Sequence, residues 1–357
     1  MSIAFRKPLS LLIFSLSFIT SALGQSQTIS NANSSAEVKD FAVALVRLKS
    51  EPEQEQLLAQ KDELRNESLL AALKALAEPL VLKGHYNEAL RISHLAVRVA
   101  EKTGDRMQVG LAMCDLGAIY ARRIPPKEAV NYLQKSLAIF EEAGAKSEQA
   151  RALAAMGEAY ENDRRRELAI QHYEKSLALS QQLGDRHLTA RILNGLGKSH
   201  SATGDHDTGM SFFEKARALS EELNDKDTLS LVLNNIAAHH IAHGRYAEGL
   251  EYLNKSIKLS EERGAAADRQ SLALKFQNVG LIYRRQGQLD QALVYARKTL
   301  AIFEEIDDKF GISNLQNNIG VIYKAQGLYD ESLVWFQKAM QGYEGLKGNA
   351  GYRASAE

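Results

Sequence analysis

The sequence predicts an all-α protein, a right-handed superhelical solenoid of about seven helical hairpins. Small residues recur at a step of 40 residues, with one longer step of 43 residues that is explained by three extra residues in the loop 264–268. A ring residue follows most of them three positions later, and a glycine often follows seven positions later. A fixed period of this size is typical of solenoids. The small residues stand at Ala77, Gly117, Gly157, Gly197, Ala237, Gly280 and Gly320.

The N-terminal segment predicts an export signal. Arg6 and Lys7 precede an apolar run, Leu9 to Ile19, that is too short to span a bilayer comfortably, and Ala22-Leu23-Gly24 provides a small-x-small cleavage site. We therefore expect a signal peptide over 1–24 and an exported protein, periplasmic or secreted; an uncleaved N-terminal anchor is the alternative. No later run reaches membrane length, so no membrane span is expected after cleavage.

Three further segments frame the repeats. Residues 25–40 begin with a stretch rich in Ser, Asn and Gln and predict a flexible leader, because such a segment buries too little apolar surface to order itself. Residues 41–65 predict N-terminal capping helices, which solenoid ends require. Residues 347–357 form a tail. The array itself covers 66–346, with units at about 66–104, 105–144, 145–184, 185–224, 225–267, 268–307 and 308–346.

Within each unit the pattern predicts two closely packed helices. A glycine inside a helix costs about 1 kcal/mol relative to alanine, so its recurrence at one position indicates close approach of a neighbouring helix. Large residues such as Leu133, Tyr173 and Phe213, sixteen positions after the small residue, are of a size to fill the space that it leaves. The recurring ring residues include Tyr120, Tyr160, Tyr283 and Tyr323, and the small residues twelve positions after the register include Ala129, Ala169 and Ala292.

Turn and cap residues agree with this division. Glycines such as Gly84 and Gly204 stand where the turn between two helices needs positive φ, and Asp105, Asp185 and Asp225 stand where a side chain can accept a backbone N–H at a helix start. Two units depart from the pattern. Ile124 and Arg164 occupy the turn position in the second and third units, and Pro125-Pro126 predicts a different corner in the first of these.

The small residue, the tyrosine three later, the glycine seven later and the alanine twelve later resemble the tetratricopeptide repeat family, in its 40-residue variety. The resemblance covers roughly Asn66 to Leu346. It implies a protein-binding scaffold. Similar arrays form the regulatory front end of larger bacterial signalling proteins, and the helical lead-in from Phe41 to His85-Tyr86 resembles that of CHAT-associated proteins, although no effector domain is found in this sequence.

Composition and motifs argue against several other classes. Lys+Arg and Asp+Glu both total 44, so no net field favours nucleic acid. Cys114 is the single cysteine, which excludes an internal disulfide framework. The sequence Gly195-Leu196-Gly197-Lys198-Ser199 lacks the first glycine of a phosphate loop and lies inside a predicted helix. No nucleophile stands with a base, so we expect no catalytic residue and no cofactor.

A histidine group raises the question of a metal site. His239 and His243 lie one turn apart, as paired metal ligands can, and are weak candidates. No carboxylate stands at a third-ligand spacing, and His200 and His240 occupy the ring position of their units. We therefore expect these two rings to replace tyrosine in the packing, and we expect no metal.

The first helices of stacked hairpins line the concave surface, so the residues near the register position determine what it holds. In tetratricopeptide domains that grip extended peptides, an asparagine here helps to clamp the peptide backbone; Asn235, Asn278 and Asn318 match it. Amide and basic groups can bond a peptide backbone and its carboxylates. The alternative is that these asparagines cap or solvate helices. Neighbours of the three asparagines that could share the groove are Asn234, Gln277, Asn317, Arg284, Arg285 and Lys324.

These patterns favour a non-catalytic scaffold that binds a partner protein or peptide in its concave groove. The rival hypothesis is a structural assembly or spacer protein of the cell envelope that acts through its end faces. The C-terminal end lacks a capping helix, and Gly342 stands where the last apolar column expects a larger residue. Self-association through that end face, or a longer architecture, is the resulting hypothesis.

Overall fold

The computed structural model describes residues 36–122, 127–264 and 268–347. The predicted signal peptide, most of the leader, the Pro125-Pro126 corner and almost all of the tail lie outside these residues. The chain divides between Leu73 and Lys74 into two compact units. In the first unit, a helix over 36–47 (α1) and α2 (Glu51–Gln60) are joined by the side chain of Gln54, whose Nε2 donates to the carbonyl oxygens of Leu45 and Leu48 at 3.1 and 3.0 Å.

Fourteen further α-helices form seven hairpins, and the described residues contain no β-strand. The all-helical solenoid predicted from the repeat is thus confirmed. The first helices of the hairpins are α3 (Glu67–Leu82), α5 (Arg106–Ala121), α7 (Lys146–Asn162), α9 (Arg186–Ala202), α11 (Lys226–Ala242), α13 (Arg269–Arg285) and α15 (Lys309–Ala325). The second helices are α4 (Tyr86–Thr103), α6 (Lys127–Glu142), α8 (Arg166–Leu183), α10 (His206–Glu222), α12 (Tyr246–Glu262), α14 (Leu289–Glu305) and α16 (Tyr329–Lys347).

The small residues make room for a large side chain of the paired helix. A Cβ on Gly157 would lie 2.6 Å from the ring of Tyr173, and one on Gly197 would lie 2.6 Å from Phe213. Ala129, Ala169 and Ala292 are completely buried at the other close approach. Gly280 differs, because a Cβ there would lie 3.5 Å from its nearest neighbour, an ordinary contact distance. Close packing therefore explains the glycine in four of the five units that carry one, with Leu133 and Phe336 as the close neighbours in the second and seventh hairpins, but the sixth hairpin could hold an alanine.

Caps and turns follow the predicted residues. Asp105, Asp185 and Asp225 each accept a backbone N–H at the start of the following helix, at 2.8, 3.0 and 3.0 Å. The turn glycines have positive φ, 78° at Gly84 and 93° at Gly204. Arg164 has a φ of 58°, so the third hairpin keeps the left-handed turn without its glycine.

Ring stacking joins the two helices near the turn in the second to sixth hairpins. Tyr120 stacks on Tyr132 with ring centroids 5.8 Å apart, and Tyr283 stacks on Tyr295 at 5.6 Å. The expectation that histidine replaces tyrosine in this packing is confirmed, because His200 stacks on Phe212 and His240 on Tyr252, both at 5.4 Å. The partner rings lie fifteen residues after the register position, a column that the repeat analysis did not single out although its period is visible in the sequence.

Candidate functional site

The first helices form the inner layer of the array. From the second hairpin to the sixth, successive first helices pack against one another, whereas no comparable packing joins the second helices in the described part of the chain. The side with the closer spacing is the concave side of a stack. The inner surface therefore consists of side chains from α5, α7, α9, α11 and α13.

Two of the predicted asparagines are joined to the preceding hairpin by amide hydrogen bonds. Asn235 Nδ2 on α11 donates to Asn194 Oδ1 on α9 at 2.9 Å, and Asn278 Nδ2 on α13 donates to Asn234 Oδ1 on α11 at 3.2 Å. We call Asn194, Asn234, Asn235 and Asn278 the amide ladder. All four side chains are half-buried. Each bond uses one of two amide protons on the donor, so the ladder orients its amides and leaves further polar groups available.

The remaining predicted residues lie on α13 and α15 and are not part of the amide ladder. Gln277 and Arg284 are half-buried on α13, and Arg285 is exposed at its end. Asn317, Asn318 and Lys324 are exposed on α15, and neither asparagine forms a side-chain hydrogen bond within the described residues. The structure thus bonds Asn235 to Asn194 and Asn278 to Asn234, each on the preceding hairpin, but it does not extend the ladder to Asn318.

Two exposed leucines lie beside the ladder and were missed by the sequence analysis. Leu231 is 42% exposed and lies one turn before Asn235, and Leu274 is 48% exposed and lies one turn before Asn278. Residues four apart on a helix share a face, so both leucines lie along the inner surface. The two leucines stand six residues before the small residues of their units. The repeat alignment could have revealed them, because the packing of the hairpins does not require an apolar side chain at a solvent-exposed position.

Charge on the inner surface is mostly paired in the earlier hairpins. Asp115 accepts from Lys74 Nζ at 2.8 Å and lies 3.7 Å from Arg151. Glu161 is only 5% exposed and accepts a hydrogen bond of 2.6 Å from the Ser199 hydroxyl. By contrast, no salt bridge joins Arg284, Arg285 or Lys324 to a carboxylate of the described residues. The unpaired cations therefore lie at the end of the array where the amides and leucines are found.

The histidines form a compact group. The ring centroid of His243 is 4.3 Å from that of His239 and 4.8 Å from that of His206. Burial, with the nearby His243 and Arg245, lowers the pKa of His239 to about 4. In the described residues no three His, Cys, Asp or Glu side chains are placed to hold a metal ion together. Cys114 is buried, and burial raises the pKa of its thiol to about 11.

The comparisons identify the family. The tetratricopeptide repeat model matches residues 148–222, 228–305 and 270–345, which together make up more than half of the chain, so this protein belongs to the tetratricopeptide repeat family. No curated protein sequence shows significant similarity to the chain. None of the described helices combines the length and apolar character needed to cross a bilayer.

Several solved structures share the fold. A Rap protein in complex with Competence and Sporulation Factor is 14% identical, with a TM-score of 0.63 over 88% of this chain and 86% of that one. The Rap conjugation gene regulator of plasmid pLS20, solved with the Phr* peptide, is 16% identical, with a TM-score of 0.62 over 81% and 77%. A signal transduction ATPase with a tetratricopeptide repeat sensor, from Pyrococcus horikoshii, is 16% identical, with a TM-score of 0.52 over 91% and 48%. At these identities the likeness shows the fold alone.

Proposed function

We propose that the protein binds a peptide segment of a partner protein on the inner surface of α9, α11 and α13. The observation that carries the proposal is the amide ladder with its two exposed leucines. Oriented amides can bond the backbone of an extended peptide whatever its sequence, while Leu231 and Leu274 offer apolar contacts for its side chains. The two Rap structures, solved with a factor and with a peptide, support a peptide as the ligand class.

The basic residues indicate the character of the peptide. Arg285 lies seven residues after Asn278, and Lys324 lies seven residues after Asn317, so each cation is about 10 Å along the helix from an amide. Arg284 and Arg285 can each form a bidentate pair with a carboxylate. An acidic side chain or a free C-terminus, a few residues from an apolar position, is the pattern that this surface fits.

The test is a selection of random phage-displayed peptides on the immobilised protein, followed by affinity measurements on the selected peptides. Replacing Asn235, Asn278 and Asn318 together by Ala is expected to weaken binding at least about tenfold, since two oriented amides of the ladder are lost. The matched control is Asn254→Ala, an exposed asparagine on the outer helix α12. Equal affinity of the triple variant and the wild type would disprove the groove as the binding site.

A second function is favoured by the last helix. Tyr329, Leu333 and Met340 on α16 are 69%, 57% and 55% exposed, although Leu90 and Leu293, which stand at the position of Leu333 in earlier hairpins, are buried. A cavity of about 460 Å³ between the first half of α15 and the end of α16 is lined by Gly342 and Leu346 among others. This end face supports self-association or assembly with another envelope component. Leu333→Glu is expected to abolish any concentration-dependent increase in mass by sedimentation, while Leu183→Glu, at an exposed leucine on α8, leaves it unchanged.

We propose that the protein acts by binding and not by catalysis, that it is exported, and that it serves as the regulatory front end of a signalling system or as an envelope spacer. Residues 1–24, where the export signal is predicted, lie outside the described residues. N-terminal sequencing of the protein recovered from the host would test cleavage after Gly24, and an intact Met1 would contradict it.

A further inference from the structure

The first two hairpins meet the sixth, which is distant in sequence, within the unit that begins at Lys74. The hydroxyl of Tyr86, in the first hairpin, donates to Gln270 Oε1 at 2.6 Å, across 184 residues. Arg122, at the end of α5, donates from Nη1 to Asp268 Oδ2 at 3.2 Å, across 146 residues. We call Tyr86, Arg122, Asp268 and Gln270 the latch. Contacts between units that are not neighbours in a repeat array arise only where the superhelix has completed a turn.

The latch is part of a packed interface. The turn residue Gly84 lies so close to Ile306, at the end of α14, that a Cβ on Gly84 would be 2.9 Å from the Ile306 Cβ. Ile306 is only 5% exposed. Burial opposes the charge on Arg122, but Glu158 and Asp268 outweigh this effect and the pKa of Arg122 remains raised. The Arg122–Asp268 pair therefore lies in an acidic environment to which the second, third and sixth hairpins contribute.

Asp268 belongs to the irregular step of the repeat. The three extra residues of this fifth step fall in the loop 264–268. Asp268 caps α13 through Oδ1, which accepts from Ser271 N at 2.9 Å, while its Oδ2 remains free to accept from Arg122. The equivalent cap Asp105 uses the same Oδ1 for both of its bonds, to Met107 N and Gln108 N. One carboxylate thus serves both the hairpin and the latch.

We infer from this closure that the inner surface admits an extended polypeptide segment but not a folded domain, and that the latch is the point at which it opens. The inference rests on the proposed function and names the form in which the partner binds. If five first helices complete one turn and lie about 8–10 Å apart, their axes lie on a circle with a diameter of roughly 13–16 Å. Subtracting one helix diameter of about 10 Å leaves a bore on the order of 5 Å, which suits an extended chain. A folded domain of about 100 residues has a radius of gyration near 13 Å and is excluded.

The test measures access to the inner surface without any ligand. One variant carries Asn278→Cys on the inner surface, and its matched control carries Asn254→Cys on the outer helix α12. Each is labelled with N-ethylmaleimide and with a maleimide attached to a folded protein domain. The native Cys114 does not interfere, because it is buried and burial raises its thiol pKa to about 11. The quantity compared is the labelling rate of the large reagent divided by that of the small one.

We expect this ratio to be at least about tenfold lower at Asn278→Cys than at Asn254→Cys. Adding Tyr86→Phe and Arg122→Gln, which remove both latch interactions, is expected to raise the ratio at Asn278→Cys by roughly tenfold and to leave the control unchanged. Circular dichroism verifies that the helices remain. Equal ratios at the two positions in the latched protein would overturn the closure, and an unchanged low ratio after the latch substitutions would overturn the role of the latch.

The labelling experiment is independent of the peptide selection. A closed inner surface that binds no selected peptide would refute the proposed function and leave the closure standing. An open inner surface that binds peptides through its amides would refute the closure and leave the proposed function standing. Each outcome therefore identifies which of the two inferences has failed.

Discussion

Lys275 lies in the core of the sixth hairpin and is the place where a single substitution should stabilise the protein. Its side chain is 2% exposed, and Nζ donates to Ser230 Oγ at 2.8 Å and to Ser260 Oγ at 2.5 Å. No carboxylate of the described residues forms a salt bridge with it. The equivalent residues of three other hairpins, Ile192, Val232 and Leu315, are buried and apolar. Hydroxyl groups alone replace the water that an ammonium group loses on burial.

The size of the destabilisation follows from the pKa of Lys275. Burial lowers the pKa of Lys275 from 10.5 to about 8, a difference of about 2.5 units. At 1.36 kcal/mol per unit, this corresponds to about 3 kcal/mol of destabilisation of the charged form. Between the two pKa values the unfolded chain binds more protons than the folded one, so the free energy of unfolding rises with pH. The destabilisation is complete below about pH 8 and disappears above about pH 10.5.

Lys275→Met removes the charge and keeps an unbranched side chain. The serine hydroxyls retain partners, because Ser230 and Ser260 also donate to the carbonyl oxygen of Ser256, at 2.9 and 3.3 Å. We expect the variant to be more stable than the wild type by about 1–3 kcal/mol near neutral pH, the upper value being the full electrostatic term. This advantage should shrink steadily as the pH rises through the window from about 8 to 10.5.

The assay is urea unfolding followed by circular dichroism at several pH values, with the wild type and Lys275→Met measured side by side. Other lysines and tyrosines titrate in both proteins and cancel in the difference. Hydrogen exchange of the α13 amides provides a local measurement, since repeat arrays can unfold in parts. A difference that does not change with pH, or a variant that is less stable near neutral pH, would refute the reasoning.

The remaining predictions concern packing and reactivity. Gly157→Ala is expected to destabilise the fold by about 1–2 kcal/mol, because the added methyl group would overlap the ring of Tyr173. Gly280→Ala leaves room for the methyl group and should stabilise α13 by roughly 0.5–1 kcal/mol. Thermal melts of the two variants compare these effects directly. Ala169→Leu, at a fully buried position, is expected to cost about 1–3 kcal/mol in the same melts, and an unchanged melting temperature would contradict the close approach there. The Cys114 thiol is expected to react with Ellman's reagent only after unfolding, because burial raises its pKa to about 11, and rapid reaction of the native protein would show that it is accessible.

The local architecture could be predicted because each hairpin packs mainly on its neighbours in the chain. The caps Asp105, Asp185 and Asp225 and the turn at Gly84 act within a few residues, so their roles follow from spacing. The histidine at position 240 could be assigned to the ring column for the same reason, since its partner Tyr252 belongs to the same hairpin. Repeated nearest-neighbour contacts translate a sequence period directly into structure.

The candidate site was predicted less completely. The positions of Asn235 and Asn278 on one surface follow from the repeat, but their bonds to Asn194 and Asn234 depend on how far each hairpin rotates relative to the next. Asn318 matches the same motif and stays outside the ladder. Rotation between hairpins results from packing at many side chains, and no single residue type reports it.

The sequence alone determined that this protein is an array of two-helix units, and it predicted the bounds of each unit and the inward face of each first helix. Only the tertiary structure decided that Tyr86 meets Gln270 and that Lys275 is buried among serines. The physical reason is the distance along the chain over which each interaction acts. Helix periodicity and capping act over a few residues, while the closure of a turn sums small rotations over five hairpins, and burial of a side chain depends on what the neighbouring helices bring to the same place.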